Sequence, residues 1–286
     1  MSRAAQAGFT LVELVIVIVI TAVLAVAASL YMRPAFEAYA DTRSRSEIAS
    51  VAAVSLQRIA RDVAMAVPNS IRTPDAACFD LVPSSASGRV RLGTDIVNSG
   101  SVPLDLSQPT AQLDVLTPLD SLPAAGTWLV MGNQTAADLY AGLTRTAIAG
   151  SAGEPGALGT ARLTLASAFQ FPQGLAGGRF QLVSAAQGVV SYVCSGAGVA
   201  QGRGTGTLWR ISGQAFSAVA PGSCPDVAPG MAGAQRIATG LSSCSFSYDP
   251  GATSSQQYGL LALQFGFTRG GETATLVNTL QVLNKP

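Results

Sequence analysis

Histidine is absent from the 286 residues, and lysine occurs once, at Lys285. Without imidazole there is no Ser-His-Asp or Cys-His catalysis and no His-ligated metal centre. Charge is scarce as well: charged residues make up 12%, about half the usual ~25%. Such a composition excludes a disordered acidic or basic tail protein. Seventeen basic residues against 16 acidic leave a formal net charge of +1, and no basic run supplies the footprint that nucleic acid requires. Neither a G-x-S-x-G elbow nor a P-loop is present. What is abundant is apolar and turn-forming: 48% hydrophobic residues, 30 Gly and 15 Pro. That mixture suits strands and turns better than helices, in a chain long enough for one sizeable core with appendages.

One region departs from this. From Leu14 to Met32 run 19 residues without a charge, bounded by Glu13 and Arg33. As a helix this stretch spans about 28 Å, the thickness of a bilayer hydrocarbon core. A plain membrane anchor fits it, and so does a signal peptide cut at Ala25-Val26-Ala27. Glu13 argues against both, because a carboxylate moved into hydrocarbon costs about 2.5 kcal/mol or more unless a cation meets it.

The residues before it suggest the cation. Gly8-Phe9-Thr10-Leu11-Val12-Glu13, after a short leader carrying Arg3, resembles the processing site of type IV prepilins. The resemblance implies cleavage by prepilin peptidase after Gly8 and methylation of the new amino terminus at Phe9. A mature chain of 286 − 8 = 278 residues follows. It also implies that Glu13 pairs with the amine of a neighbouring subunit, neutralising two charges in lipid. A residue without a side chain lets the backbone lie extended in a protease cleft, which suits Gly8.

Beyond the membrane segment Ile48, Val51, Ala52, Ser55, Leu56, Ile59 and Val63 recur on one helical face. Asp41 with Arg45, Arg43 with Glu47 and Arg58 with Asp62 stand four apart and read as solvated surface pairs, worth about 0.2 to 0.5 kcal/mol each. Pro34 should bend this helix and Pro68 end it. From Cys78 onward short β-forming runs alternate with turn clusters. Candidate strands are Cys78 to Val82, Gly88 to Leu92, Gln112 to Leu116, Thr127 to Met131, Arg162 to Leu165, Phe180 to Val183, Val189 to Cys194, Thr207 to Ile211 and Cys244 to Tyr248. A carboxy-terminal hairpin joins Leu261–Phe267 to Glu272–Val282 through Arg269-Gly270-Gly271, and Thr135 caps a short helix reaching Leu143.

Gly202, Gly204 and Gly206 precede a strand rather than a helix, so Gly196 to Gly206 reads as a long hairpin loop and not a phosphate cradle. Asp249, in Tyr248-Asp249-Pro250-Gly251, reads as a turn former. Asn133-Gln134-Thr135 fits a glycosylation triplet but receives no role. Cys78, Cys194, Cys224 and Cys244 fit no zinc spacing, and an even count in an exported domain favours disulfides. Of the three full pairings, the turn-rich stretch between Cys224 and Cys244 favours joining those two, with Cys194–Cys224 as the alternative and Cys244 as a small buried strand residue as a third reading.

Three stretches of the head, Val190 to Cys194, Gly206 to Arg210 and Cys244 to Gly251, look like MshO-type minor pilins of the mannose-sensitive haemagglutinin pilus system. Ser55 to Asp62 is similar to the J-type pseudopilins of type II secretion. These resemblances imply an α+β, type IV pilin-like fold: a leader over 1–8, a membrane-spanning half of the stem helix over 9–33, an amphipathic half over 34–67 and a β-rich periplasmic head over 68–286. They imply a single-pass protein of the bacterial inner membrane with no cofactor and no catalysis. Its partners are then prepilin peptidase and other pilin or pseudopilin subunits. A competing class is a membrane-tethered or secreted β-domain that binds a glycan, or that works through paired carboxylates. For the latter, two of Asp80, Asp95, Asp105, Asp114, Asp120 and Asp226 would have to converge in a cleft, one with a raised pKa.

Overall fold

In the computed structural model, residues 10–153, 159–173, 176–251 and 258–284 are described. The chain begins with α1 (Leu11–Ala64), 54 residues of helix that include Pro34. Thr10 caps it, its hydroxyl accepting from the Glu13 N–H at 3.3 Å. Residues up to Ala49 form one compact unit and Ser50–Pro286 another. In the second unit, the helix buries Ala52, Ser55, Ile59, Asp62 and Val63. The expected face is therefore present at its core, while Val51 stays exposed and Ile48 and Leu56 are half-buried. The helix stops four residues before Pro68. The ring of Pro68 drives Val67 out of the helical region, and the Val67 N–H turns to the Val82 carbonyl at 2.8 Å.

The head contains β1 (Arg72–Asp75), β2 (Cys78–Leu81), β3 (Ala86–Arg89), β4 (Thr110–Val115), β5 (Trp128–Val130), α2 (Ala136–Ala141), β6 (Arg145–Gly153), β7 (Ala161–Phe169) and β8 (Arg179–Val183). There follow β9 (Val189–Ser195), β10 (Val199–Ala200), β11 (Arg203–Gly204), β12 (Gly206–Gln214), β13 (Ala234–Asp249), β14 (Tyr258–Arg269) and β15 (Glu272–Leu283). All of the expected strands are present. Thr135 caps α2, accepting from the Asp138 N–H. The Gly196–Gly206 segment is a hairpin loop between paired β9 and β12, folded into the β10–β11 ribbon. Here a Cβ on Gly204 would lie 2.0 Å from the Gly240 carbonyl, so only glycine fits.

Beside the β10–β11 ribbon, the described strands form two larger sheets. A seven-stranded antiparallel sheet has the order β1-β2-β9-β12-β13-β14-β15. A six-stranded sheet, β3-β8-β5-β6-β7-β4, is inserted between β2 and β9. Its two outer strands meet where Val90 bridges Val115. The Arg91 N–H reaches the Asp114 carbonyl at 2.9 Å and the Leu116 N–H reaches Arg89 at 2.8 Å. The sheet thus closes into an antiparallel barrel, filled by Leu113, Leu129, Met131, Ile148, Leu163, Phe171 and Phe180. Because β2 and β9 are themselves neighbours, with Leu81 opposite Val190, the barrel leaves and re-enters the first sheet at adjacent points.

Both candidate disulfides of the sequence reading give way to a different pairing, Cys78–Cys224 and Cys194–Cys244, with Cα separations of 5.6 and 6.3 Å. Strand β12 starts at Gly206, opposite Leu241, so past Leu241 β13 is no longer held away from β9. There its Phe246 N–H is taken by the Ala76 carbonyl at 2.7 Å, and Cys244 comes beside Cys194. Cys224, in the loop between β12 and β13, instead folds over Cys78, Val193 and Ile211. No cysteine among the described residues is free. Peptide mapping without reductant should recover these two linkages. Replacing Cys194 and Cys244 together by Ser should lower stability in a denaturant titration by about 2–4 kcal/mol. A recovered Cys224–Cys244 peptide would contradict this strand order.

Candidate functional site

Two carboxylates on α1 differ in what surrounds them. Glu13 lies in the first turn of the helix, at the entry to a candidate membrane span, Leu11–Pro34, of 24 residues with mean hydropathy 3.0. No residue of the span is buried within the chain. Among the described residues Glu13 has no ion-pair partner. Gly8 and Phe9 lie outside the described residues.

Asp62 was expected to be a solvated surface partner of Arg58, and the structure corrects this. It is buried. Arg210 Nε donates to its Oδ2 at 2.6 Å and the Tyr192 hydroxyl donates to the same oxygen at 2.9 Å. Arg58 stands farther off, 3.8 Å from Oδ1. Arg210 and Tyr192 are cross-strand partners on β12 and β9, so one register pair grips the last turn of the helix. The Tyr192 ring stacks on Phe79 at 5.0 Å, and Phe246 meets Phe79 edge-on at 4.9 Å. Burial first, then the Asp62 charge, pushes the Tyr192 hydroxyl pKa upward, so it stays a donor. The spacing of Arg58 and Asp62 hid this contact because the decisive partner is 148 residues away.

Among the described residues, the other candidate acids have partners of their own or are exposed. Asp80 is buried against Arg72 Nε at 2.9 Å and accepts from Ser191, while Asp114, in the barrel, accepts from Arg162 Nε at 2.8 Å and the Val102 N–H at 2.7 Å. Each carboxylate is neutralised by its own guanidinium. Asp95 is held below the usual carboxylate range by the backbone N–H groups of Asn98 and Val97, and Asp105 by the Ser107 hydroxyl and N–H. This is opposite to the raised pKa that a general acid needs. Asp120 and Asp226 are exposed. A groove of about 580 Å³ on the barrel, lined by Leu92, Thr94, Leu104, Leu106 and Gln173, contains one carboxylate, Asp105. Among the described residues no cluster of three or more potential metal ligands occurs.

Asn133 has a clear role in the fold. Its Nδ2 donates to the Pro68 carbonyl at 2.7 Å and its Oδ1 accepts from Thr144 at 3.1 Å, which ties the end of the stem to the barrel. Asp249 is a turn former, accepting from the Gly251 N–H at 2.9 Å.

Residues 3–29 match the prokaryotic N-terminal methylation motif. No curated protein and no solved structure matches the chain. The methylation motif indicates a type IV pilin-like or pseudopilin protein, a structural class whose members are processed by prepilin peptidase and associate with other subunits. Here it coincides with the apolar helix, a membrane anchor by length and composition, and the helix is followed by a head of antiparallel sheets.

Replacing Asp62 by Ala leaves the Arg210 guanidinium buried without its counter-charge. The cost should be about 3–5 kcal/mol, read from urea unfolding of the full-length protein in detergent by Trp209 fluorescence. Asp62→Asn, which keeps an acceptor, should fall between. An unchanged midpoint for Asp62→Ala would show that the grip contributes nothing.

Proposed function

We propose that the chain is a minor pilin-like subunit, cut by prepilin peptidase between Gly8 and Phe9, methylated at Phe9, and active in starting or capping a type IV pilus of the mannose-sensitive haemagglutinin type. The carrying observation is the methylation motif at residues 3–29 with Glu13 at the head of a charge-free span. In this reading residues 1–8 are the leader, the span lies in the bacterial inner membrane, the head is periplasmic, and Glu13 receives the amine of another subunit. A carboxylate at that depth is costly alone and tolerable when paired. The similarity of Ser55 to Asp62 to J-type pseudopilins favours a type II secretion pseudopilus as the second reading.

A minor rather than a repeating role is supported by bulk. The inserted barrel and the Gly-rich β10–β11 excursion enlarge the head. A repeating subunit must fit neighbours on every side, whereas a subunit at an end leaves one face free.

Intact mass and amino-terminal sequencing from a host with prepilin peptidase should give a chain starting at methylated Phe9. A start at Ala28 or Ser29 would identify a signal peptide instead. Glu13→Ala should be inserted and cleaved yet enter filaments several-fold less than wild type. Deletion of the gene should reduce filament number more than filament length, and uniform labelling along the shaft would sink the minor role.

A further inference from the structure

The two edges of the seven-stranded sheet are built differently. Strand β1 has four residues, contains Pro74, changes register between Arg72 and Asp75, and carries a charge at each end. Short length, proline, irregular pairing and charge are the devices by which proteins prevent an edge from pairing with another chain. Strand β15, at the opposite edge, has none of them apart from the charge of its first residue, Glu272. Its twelve residues pair with β14 in unbroken register from Glu272 to Leu283. From Thr273 to Leu283 there is no charge, proline or glycine. Among the described residues no strand lies beyond it.

A strand of this length offers roughly 40 Å of edge, with the N–H and C=O of every second residue directed away from β14. Its open face carries Val277, 66% exposed, and Leu283, 53% exposed, beside Tyr258 and Leu260 of β14. On its other face Leu276 and Leu280 are half-buried, so a further strand would cover their flanks.

We propose that β15 is an interface, and that its occupant is β15 of a second copy of this chain, paired antiparallel about a twofold axis. Charge selects the occupant. A strand bearing charge would find no counter-charge between Thr273 and Leu283, whereas β15 meets that stretch of itself without one. With Val277 on the axis, Val277 faces Val277 of the second copy, Thr275 faces Thr279 and Thr273 faces Gln281. Each of the last two pairs occurs twice and matches polar to polar, a favourable cross-strand arrangement. Residues on the open face of one copy stay on the open face of the other, and the two sheets become one. Glu272 falls at the ends of the ladder, beside the water-exposed hairpin turn. The proposal is independent of the filament reading.

The test uses full-length protein in detergent at micromolar concentration, with oligomeric state measured by sedimentation. Wild type should be dimeric. Val277→Lys, which sets two ammonium groups on the axis, should weaken the dimer at least tenfold, while Val277→Thr should leave it intact. Association through the stem helix would survive the lysine variant, so an equally abundant dimer there overturns the proposal, as does a monomeric wild type. Val277→Cys should form a disulfide between copies, because residues directly opposite in an antiparallel pair have Cα atoms about 4.5–5.5 Å apart, within disulfide reach. The same peptide map must retain Cys78–Cys224 and Cys194–Cys244. A dimer with those bonds intact and no cross-link at position 277 overturns the register and the interface with it.

Discussion

The head is organised around one buried ion pair, Asp62 with Arg210, closed by the Tyr192 hydroxyl. An ionic contact of this kind rarely adds much over an apolar replacement, but losing one partner strands a charge in the interior. It therefore acts as a register device. The last turn of α1 can sit on the sheet at one height, the height at which Asp62 meets a cross-strand pair on β9 and β12. Strand β9 is also where the chain returns from the barrel insertion, and it carries Cys194, so the position of the helix and the framework of the head are specified together.

Much of this was legible in the sequence wherever the signal was local. The alternation of Leu261, Leu263, Phe265 and Phe267 and the Gly270-Gly271 turn sufficed for the last hairpin, with both glycines at positive φ in the structure. Thr135 was readable as a helix cap. Strand β6, with the sequence RTAIAGSAG, was not, because small residues carry little β signal and its pairing with β5 and β7 decides the matter. The end of the stem was placed too late, since the constraint at Pro68 acts on the preceding residue and the chain had already turned to pair with Val82.

The misread contacts share one cause. Arg58 with Asp62 satisfied the four-residue rule, yet the partners that matter come from residues 192 and 210. The disulfide preference likewise followed proximity in sequence, while the actual bonds span 146 and 50 residues. Asn133, assigned no role from the sequence, is committed at both ends of its amide to Pro68 and Thr144. A polar residue in a β-rich head gains its meaning from the strand order, which no short motif encodes.

Set beside each other, Glu13 and Asp62 separate fold from assembly. Both are carboxylates on α1, and both occupy surroundings in which a bare charge is costly, hydrocarbon for the first in the proposed function and protein interior for the second. Asp62 finds a guanidinium and a phenol inside its own chain, so its requirement is met when the head folds. Glu13 has no cation among the described residues, and prepilin processing would remove Arg3 with the leader while creating an amine at Phe9. In the proposed function every processed subunit carries that amine, and the amine of one subunit would meet Glu13 of another. On the proposed reading, a helix with Asp62 satisfied internally and Glu13 awaiting a cation would be stable as a folded head and incomplete as a membrane segment. In the proposed function that asymmetry would let a finished subunit wait in the bilayer and still gain from joining a filament.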